Sequence, residues 1–401
     1  MKICIINNLY QPYIRGGAEK VVENQTKLLS KENQVTVITT APKKHFIKKK
    51  EIATVDGTKV YYLKNYNLYH LLDDYKHSWL IRLFWHIADY FNFLIWARTL
   101  KILKEESPDL IITNNLKGYS IGLPLAFKKY RNQHVHVLHD LQLIDPQGTL
   151  YRPKRGAIDK LTLGMKVYAY LTKKSFEKVK KVISPSRYTL DKHINYGLFK
   201  KAEKLVLPNP LMSNGLNVNK EIIERPIFLY LGQLEEQKGV NEILDVFAHL
   251  DNDLAKLYIA GRGKLQPLVE KVAEENTNIK YLGFLLGEEK RRFLKEAFMV
   301  LVPSLCPENS PTVIYESYAQ GTPVLVSDSG GQTELITEGK TGLIFKAGDS
   351  NDLSQKILSS LKIQNEIVSW QKNIQEKVKN YQGENYITKL LDFIKIINHQ
   401  L

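Results

Sequence analysis

The segment PENSPTVIYES, residues 307–317, places two glutamates, Glu308 and Glu316, on either side of a helix-start signature. Ser310 reads as the N-cap and Pro311 as the first helical residue, so the amides of Thr312 and Val313 follow with no acceptor inside the helix. Such amides, backed by the helix dipole, suit a phosphate or sugar oxygen. Glu308 then lies in the loop and Glu316 on the second helical turn. Ionised carboxylates accept hydrogen bonds from hydroxyls, so the two could hold opposite ends of one hydroxyl-rich ligand. A second feature is QLEEQKG, Gln233 to Gly239, directly after the apolar run IFLYLG. Lys238 there supplies a point charge for a diphosphate at the carboxyl end of a strand. A third is RGGAE, in which Gly16 and Gly17 separate the first apolar run from a helical stretch. Glycine permits close backbone approach to a ligand, and the helix start aims N–H groups at anions. This is not GxGxxG, so the usual dinucleotide fingerprint is absent. Arg15 precedes those glycines, and Arg152, Lys154 and Arg155 form a candidate anion-contact cluster.

The elements that must position these residues are short apolar runs alternating with helical patterns. KICIIN, VTVITT, LIITNN, HVHVLHD and KVISPS read as strands in the first half; IFLYLGQL, KLYIAG, IKYLGF, MVLVPSL and PVLVSD read as strands in the second. They lack polar alternation, as strands of a parallel sheet covered on both faces do. Helical stretches such as AEKVVENQTKLLSKEN and VNEILDVFAHLDND lie between them. Two such series predict an α/β chain of two doubly wound domains, with the strand carboxyl ends of each sheet along one edge. Pro208 and Pro210 mark a boundary, SNGLNVNK reads as a polar linker, and the tail ENYITKLLDFIKIINHQL has helical periodicity. The expected divisions are 1–210, 211–383 and a C-terminal helix, 384–401.

Charge separates the same two halves. Residues 1–210 hold 36 Lys and Arg against 17 Asp and Glu, and the remainder 21 against 25. The basic half favours an anionic partner, such as phospholipid headgroups or a phosphorylated substrate. A nucleic acid is not expected, because no recognition element accompanies the charge. Residues 68–103 contain three of the four tryptophans, Trp79, Trp85 and Trp96, among Tyr, Phe, Lys, Arg and His. That stretch reads as helices packed on the first sheet, as an amphipathic face at a membrane interface, or as both. Two cysteines, Cys4 and Cys306, exclude a disulfide framework. The opening MKICIINNLY is too short for a secretory signal and no run is long and apolar enough to span a bilayer, so a cytoplasmic protein, peripheral at the inner membrane face, is expected.

Over nearly its whole length the chain resembles the retaining nucleotide-sugar glycosyltransferases of family 4, which have the GT-B fold. The most specific match is E-x7-E, Glu308 to Glu316, supported in order by RGGAEKVV, LHD, ISPSRYT, LPNP, LGQLEEQKG, IAGRG, YLGF, GTPVLVSDSGGQTELI and TGLIF. The resemblance implies two Rossmann-like domains facing a central cleft, with the C-terminal helix crossing back to the first. It implies a nucleotide-sugar donor, a UDP-sugar in preference to a GDP-sugar, and a lipid-linked or carbohydrate acceptor held by the first domain. No cofactor and no metal are implied. By position, Glu316 is similar to the glutamate that holds the ribose hydroxyls, and Glu308 to the one that contacts the donor sugar. Asn309, Ser310, Pro311, Thr312 and Val313 would bind sugar and phosphate, mainly through backbone amides. Lys238 resembles the lysine that neutralises the diphosphate, Gly16 and Gly17 the loop that closes over it, and His139 the histidine beside the transferred sugar. Two positions depart from the family pattern: Gln233 stands where an arginine is usual, and Arg262 replaces the acid of a GDG motif, leaving Arg15 and Arg262 to supply the missing charge. A nucleotide-sugar epimerase of similar fold and a non-catalytic nucleotide-sugar binder are the alternatives.

Overall fold

Residues such as Ile3 to Ile6 offer no polar position to turn toward water, so the strand they form must be covered on both faces. The computed structural model describes residues 1–48, 50–152, 156–158, 160–212 and 225–395. The linker SNGLNVNK, Lys154, Arg155 and the last six residues lie outside the described residues. Strands β1 (Lys2–Ile6), β2 (Gln34–Ala41), β3 (Ile52–Val55), β4 (Thr58–Lys64), β5 (Leu110–Thr113), β6 (His134–Val137), β9 (Lys181–Ser184) and β10 (Glu203–Val206) form one sheet in the order β10-β9-β6-β5-β1-β2-β4-β3. Every pairing is parallel except β3 with β4. Strands β5, β6 and β9 are buried at every residue, whereas the edge strand β3 alternates exposed with half-buried positions. The sequence reading omits β3, β4 and β10: β3 and β10 are four-residue edge strands, and β10 carries Glu203 and Lys204 outward.

A small antiparallel pair, β7 (Tyr151–Arg152) and β8 (Gly156–Ala157), stands apart from both larger sheets. The second large sheet runs β13-β12-β11-β14-β15-β16, all parallel, from β11 (Ile227–Leu231), β12 (Lys256–Ala260), β13 (Ile279–Tyr281), β14 (Met299–Val302), β15 (Val324–Ser327) and β16 (Gly342–Phe345). Its core includes Phe228 in edge-on contact with Phe247 and Phe298 at centroid distances of 5.6 and 5.5 Å. In both sheets the strand order reverses next to the first strand, between β1 and β5 and between β11 and β14. Ligands of open α/β sheets bind at the carboxyl ends of the strands at such a reversal.

Contacts divide the chain into two compact units. The first holds Met1–Gly148, Leu161–Pro210 and the described residues from Ile387 on; the second holds Leu211–Tyr386 and the described residues of 149–160. The first unit therefore recruits the end of the chain. In the helix Gly383–Lys395, Leu390 is buried and the terminal carbonyls meet Lys181 at the start of β9. Lys181 is 3% exposed; its Nζ donates to Ile394 O at 3.0 Å and to Phe393 O, and lies over the Phe393 ring. A cation at a helix C-terminus meets both the free carbonyls and the negative end of the dipole.

The first unit also holds neutral histidines, with His70, His134, His136 and His193 buried and His86 and His139 half-buried. Burial pushes His70, His86, His139 and His193 down to about 4, His134 to about 3, and His136 well below its usual value. Unfolding lets each take up a proton below about pH 6.5. Their contribution to stability is thus complete above 6.5 and is lost as pH falls towards 4. Three carboxyls in the same unit act with the opposite sign: burial pushes Asp89 up to about 7, Asp140 to about 6, and Glu19 upward. Six histidines outweigh them. Calorimetric melts are expected to show the first unit's transition falling between pH 7 and pH 5. The second unit's transition should hold, since its one described histidine, His249, is exposed. A first-unit transition that did not move would contradict this.

Candidate active site

In the second unit the reversal between β11 and β14 brings two loops together. Gly239 closes the β11 loop with φ 74°, and a Cβ on it would lie 1.9 Å from Pro303 O, at the start of the β14 loop. The amides of Leu305 and Cys306 both donate to Gln237 O, at 3.0 and 3.3 Å. Lys238 and Glu308 meet as a result: Lys238 Nζ is 2.5 Å from Glu308 Oε1, which also accepts from Ser304 Oγ at 2.7 Å. Burial alone would push the Lys238 ammonium down; the adjacent Glu308 carboxylate outweighs it and holds the pKa above the usual lysine range. Glu308 is gripped from the other side by the β15 loop. Its amide donates to Ser329 O at 3.2 Å and its carbonyl accepts from Gly331 N at 2.7 Å. Gly330, at φ 83°, lets the two chains approach, since a Cβ there would lie 2.4 Å from Glu308 O.

The helix after Glu308 spans Thr312–Tyr318 with Pro311 at its N-cap. This corrects the sequence reading of Ser310 as the cap and Pro311 as the first helical residue. Ser310 is buried and its Oγ pairs with the Tyr315 hydroxyl at 2.6 Å, so the hydroxyl serves packing of the segment. Asn309 is buried beside it. Thr312 and Val313 occupy the first turn, half-buried. Glu316 stands on the second turn, with Oε2 2.6 Å from Lys290 Nζ of the helix Gly287–Glu296. Both side chains are about one-third exposed or less, at 28% and 33%. Lys290 and Ser304 were not legible as site residues: one sits in a charged surface stretch, the other is an isolated serine.

The two departures from the family pattern are neighbours. Leu234 N–H, beside Gln233, donates to Arg262 O at 2.9 Å. Gln233 and Arg262 are both exposed, and the Arg262 guanidinium lies 4.9 Å from the Phe284 ring centre. Arg152 sits on the β7–β8 hairpin, which belongs to the second unit, and its Nη1 donates to Tyr151 O at 2.7 Å.

In the first unit the reversal between β1 and β5 is built from two Asn-Asn pairs, Asn7–Asn8 and Asn114–Asn115, each directly after its strand. Asn8 N–H donates to Asn115 O at 2.8 Å, and Asn115 N–H donates to Asn7 Oδ1 at 3.0 Å. Gln142 Nε2 donates to Asn115 Oδ1. His139, two residues past β6, has Nε2 2.8 Å from Asn114 Oδ1. That oxygen only accepts, so the ring proton sits on Nε2 and Nδ1 remains an acceptor. With its pKa near 4 the ring is neutral at pH 7. The repeated dipeptide after two strands was the available signal for this network. Arg15 is exposed on the loop after β1 and Gly17, also exposed, opens the helix Gly17–Leu29, while the amide of its N-cap Gly16 donates to Glu19 Oε2 at 2.7 Å.

Residues 15–211 match the family described as Glycosyltransferase Family 4, and residues 216–377 match the one described as Glycosyl transferases group 1. This chain is a family 4 glycosyltransferase of the GT-B fold. The glycosyltransferase is 29% identical to an uncharacterized 42.6 kDa protein in the cps region of Klebsiella pneumoniae, over 84% of this chain and 87% of that one. It is 28% identical, over 47% of this chain and 53% of the other, to the Campylobacter jejuni GalNAc-alpha-(1->4)-GalNAc-alpha-(1->3)-diNAcBac-PP-undecaprenol alpha-1,4-N-acetyl-D-galactosaminyltransferase. In fold it matches Anabaena Alr3699/HepE, solved in complex with UDP, with a TM-score of 0.72 and 17% identity over 99% of this chain and 100% of that one. Among its described residues no helix is long and apolar enough to cross a membrane, and no three His, Cys, Asp or Glu side chains converge as metal ligands.

Proposed function

We propose that this glycosyltransferase moves a sugar from a nucleotide-sugar donor, preferably a UDP-sugar, to a hydroxyl of a lipid-linked or carbohydrate acceptor, with retention of anomeric configuration, during assembly of a bacterial surface polysaccharide or glycolipid. The observation that carries the reading is the Lys238–Glu308 pair at the carboxyl edge of the second sheet. Breaking the anomeric C–O bond leaves charge on a diphosphate, and a preorganised cation there stabilises it as it forms. Lys238 has that role, with the first-turn amides of Thr312 and Val313 and without a divalent metal. Glu308, already oriented by Ser304 and its backbone clamp, accepts hydrogen bonds from the sugar hydroxyls. The acceptor oxygen attacks the anomeric carbon from the face that the phosphate leaves, and its proton passes to the departing phosphate oxygen. His139, neutral at pH 7, positions a hydroxyl through Nδ1 in the first unit, which receives the acceptor.

The relative from a cps region and the one acting on an undecaprenol-linked saccharide support the polysaccharide and lipid-linked assignments. A thermal-shift screen of UDP- and GDP-sugars tests the donor. Slow hydrolysis of the stabilising donor without acceptor, insensitive to EDTA, is expected; stabilisation without hydrolysis would point to a binder. Glu316→Ala is expected to weaken UDP affinity by about 10- to 100-fold in calorimetry, the range for hydrogen bonds to a charged group. Unchanged affinity would reject a ribose role for Glu316.

A further inference from the structure

In the helix Trp79–Tyr90 of the first unit, most of the apolar side chains are exposed. Its core-facing positions are Trp85, Asp89 and Tyr90, all buried. Leu80, Leu83, Phe84, Ile87 and Phe91 follow the spacing of a core-facing stripe, yet each is 50–62% exposed. Trp79 is 73% exposed, and the next helix, Phe93–Glu106, opens with Phe93 and Leu94, both 60% exposed. Single exposed apolar residues are ordinary on a protein surface; a contiguous stripe is not.

A second observation identifies what covers it. The helix Leu163–Phe176 lies alongside: Tyr90 OH donates to Leu171 O at 3.2 Å, and the His86 and Tyr168 rings are 5.8 Å apart. Its outer face interleaves Leu163, Val167 and Tyr170 with Lys166, Lys173 and Lys174, and carries no acid. Lys166 and Lys173 have no ion-pair partner among the described residues; Lys174 reaches Glu177 at 3.5 Å. The turn Leu123–Ala126, packed on the same helix, adds the exposed Leu125, Lys128 and Lys129. Asp73 and Asp74, in the turn before the helix, are paired with Lys76 at 2.7 Å and with Arg82 at 3.6 Å, and Asp89 is buried.

We propose that these two helices dock the chain, lying in plane, on an anionic phospholipid bilayer. Apolar side chains enter the acyl boundary while the lysine stems reach along it to leave their ammonium groups among the phosphates. Charge complementarity selects the lipid surface, because every unpaired charge on the face is positive. The surface serves the lipid-linked acceptor proposed above, but its binding does not depend on which sugar is transferred.

Co-sedimentation of the full chain with phosphatidylcholine vesicles, with and without phosphatidylglycerol, tests this at low salt. Wild-type protein is expected to pellet with the anionic vesicles, with Trp79 emission shifting to the blue, and to pellet about tenfold less with neutral ones. Leu83→Ser with Phe84→Ser should lower binding about tenfold, and Lys166→Ala with Lys173→Ala should lower it for anionic vesicles only. Leu163→Ser with Val167→Ser repeats the test on the second helix if the first pair perturbs folding. Pelleting unaffected by either serine pair would overturn the proposal. So would a wild-type dimer in light scattering that Leu83→Ser with Phe84→Ser dissociates while vesicles go unbound. Donor hydrolysis without vesicles should be unchanged in all these variants. Hydrolysis without vesicle binding rejects the docking and leaves the transferase; vesicle binding without hydrolysis supports the docking and rejects the transferase.

Discussion

Lys238→Ala is expected to lower turnover by about 10²–10³-fold, the loss that follows removal of one group stabilising charge in a transition state. The geometry argues for an effect on the chemical step. Lys238 Nζ is held at 2.5 Å by Glu308 before any donor arrives, so the cation is placed in advance of the charge it must meet. Removing it also leaves Glu308, among the described residues, with Ser304 as its one side-chain partner, and the carboxylate without its cation then repels the diphosphate. Lys238 is 25% exposed, so the fold should survive, and a thermal melt checks that. Turnover equal to wild type with a donor shown to bind would reject the charge role.

Gly239→Ala is expected to destabilise the second unit by about 2–4 kcal/mol. Two costs combine: a left-handed conformation that a side chain disfavours by about 1–2 kcal/mol, and an overlap with Pro303 O that the backbone must relieve. A comparison separates them. Gly283 has nearly the same φ, 72°, but nothing within 4 Å of an added Cβ. Gly283→Ala should therefore show the conformational cost alone in a urea titration. If Gly239→Ala cost no more than Gly283→Ala, the contact between the two loops would be disproved. Because that contact aligns Lys238 with Glu308, donor hydrolysis should fall together with stability.

Strands buried on both faces were legible because continuous apolar runs have no other soluble arrangement: β1, β5 and β11 follow from composition alone. β10 and β16 were not, since four-residue strands with a charged or glycine-containing sequence carry too little pattern. Lys238 and Glu308 were legible one at a time, each from its place after a strand. Their ion pair was not, because it joins residues 70 apart and depends on β11 lying next to β14, an order that local sequence does not encode. The Ser310 cap was misplaced by one residue because Pro311 fits either the cap or the first turn by its fixed φ, and the Tyr315 hydroxyl competed for the serine. The Asn-Asn pairs escaped notice for the same reason as the ion pair: their bonds cross from β1 to β5.

Lys181 gives the molecule an order of assembly. Multidomain chains commonly complete their first domain first as synthesis proceeds. Here the ammonium at the start of β9 finds its carbonyl partners among the described residues at Phe393 and Ile394, more than 200 residues downstream. A nascent chain therefore forms β9 before the helix that accepts from this ammonium exists, and Glu203 of the neighbouring strand β10 is the acid whose charge it feels until then. The described residues of the second unit extend no further than Tyr386, so it can close before the first is complete.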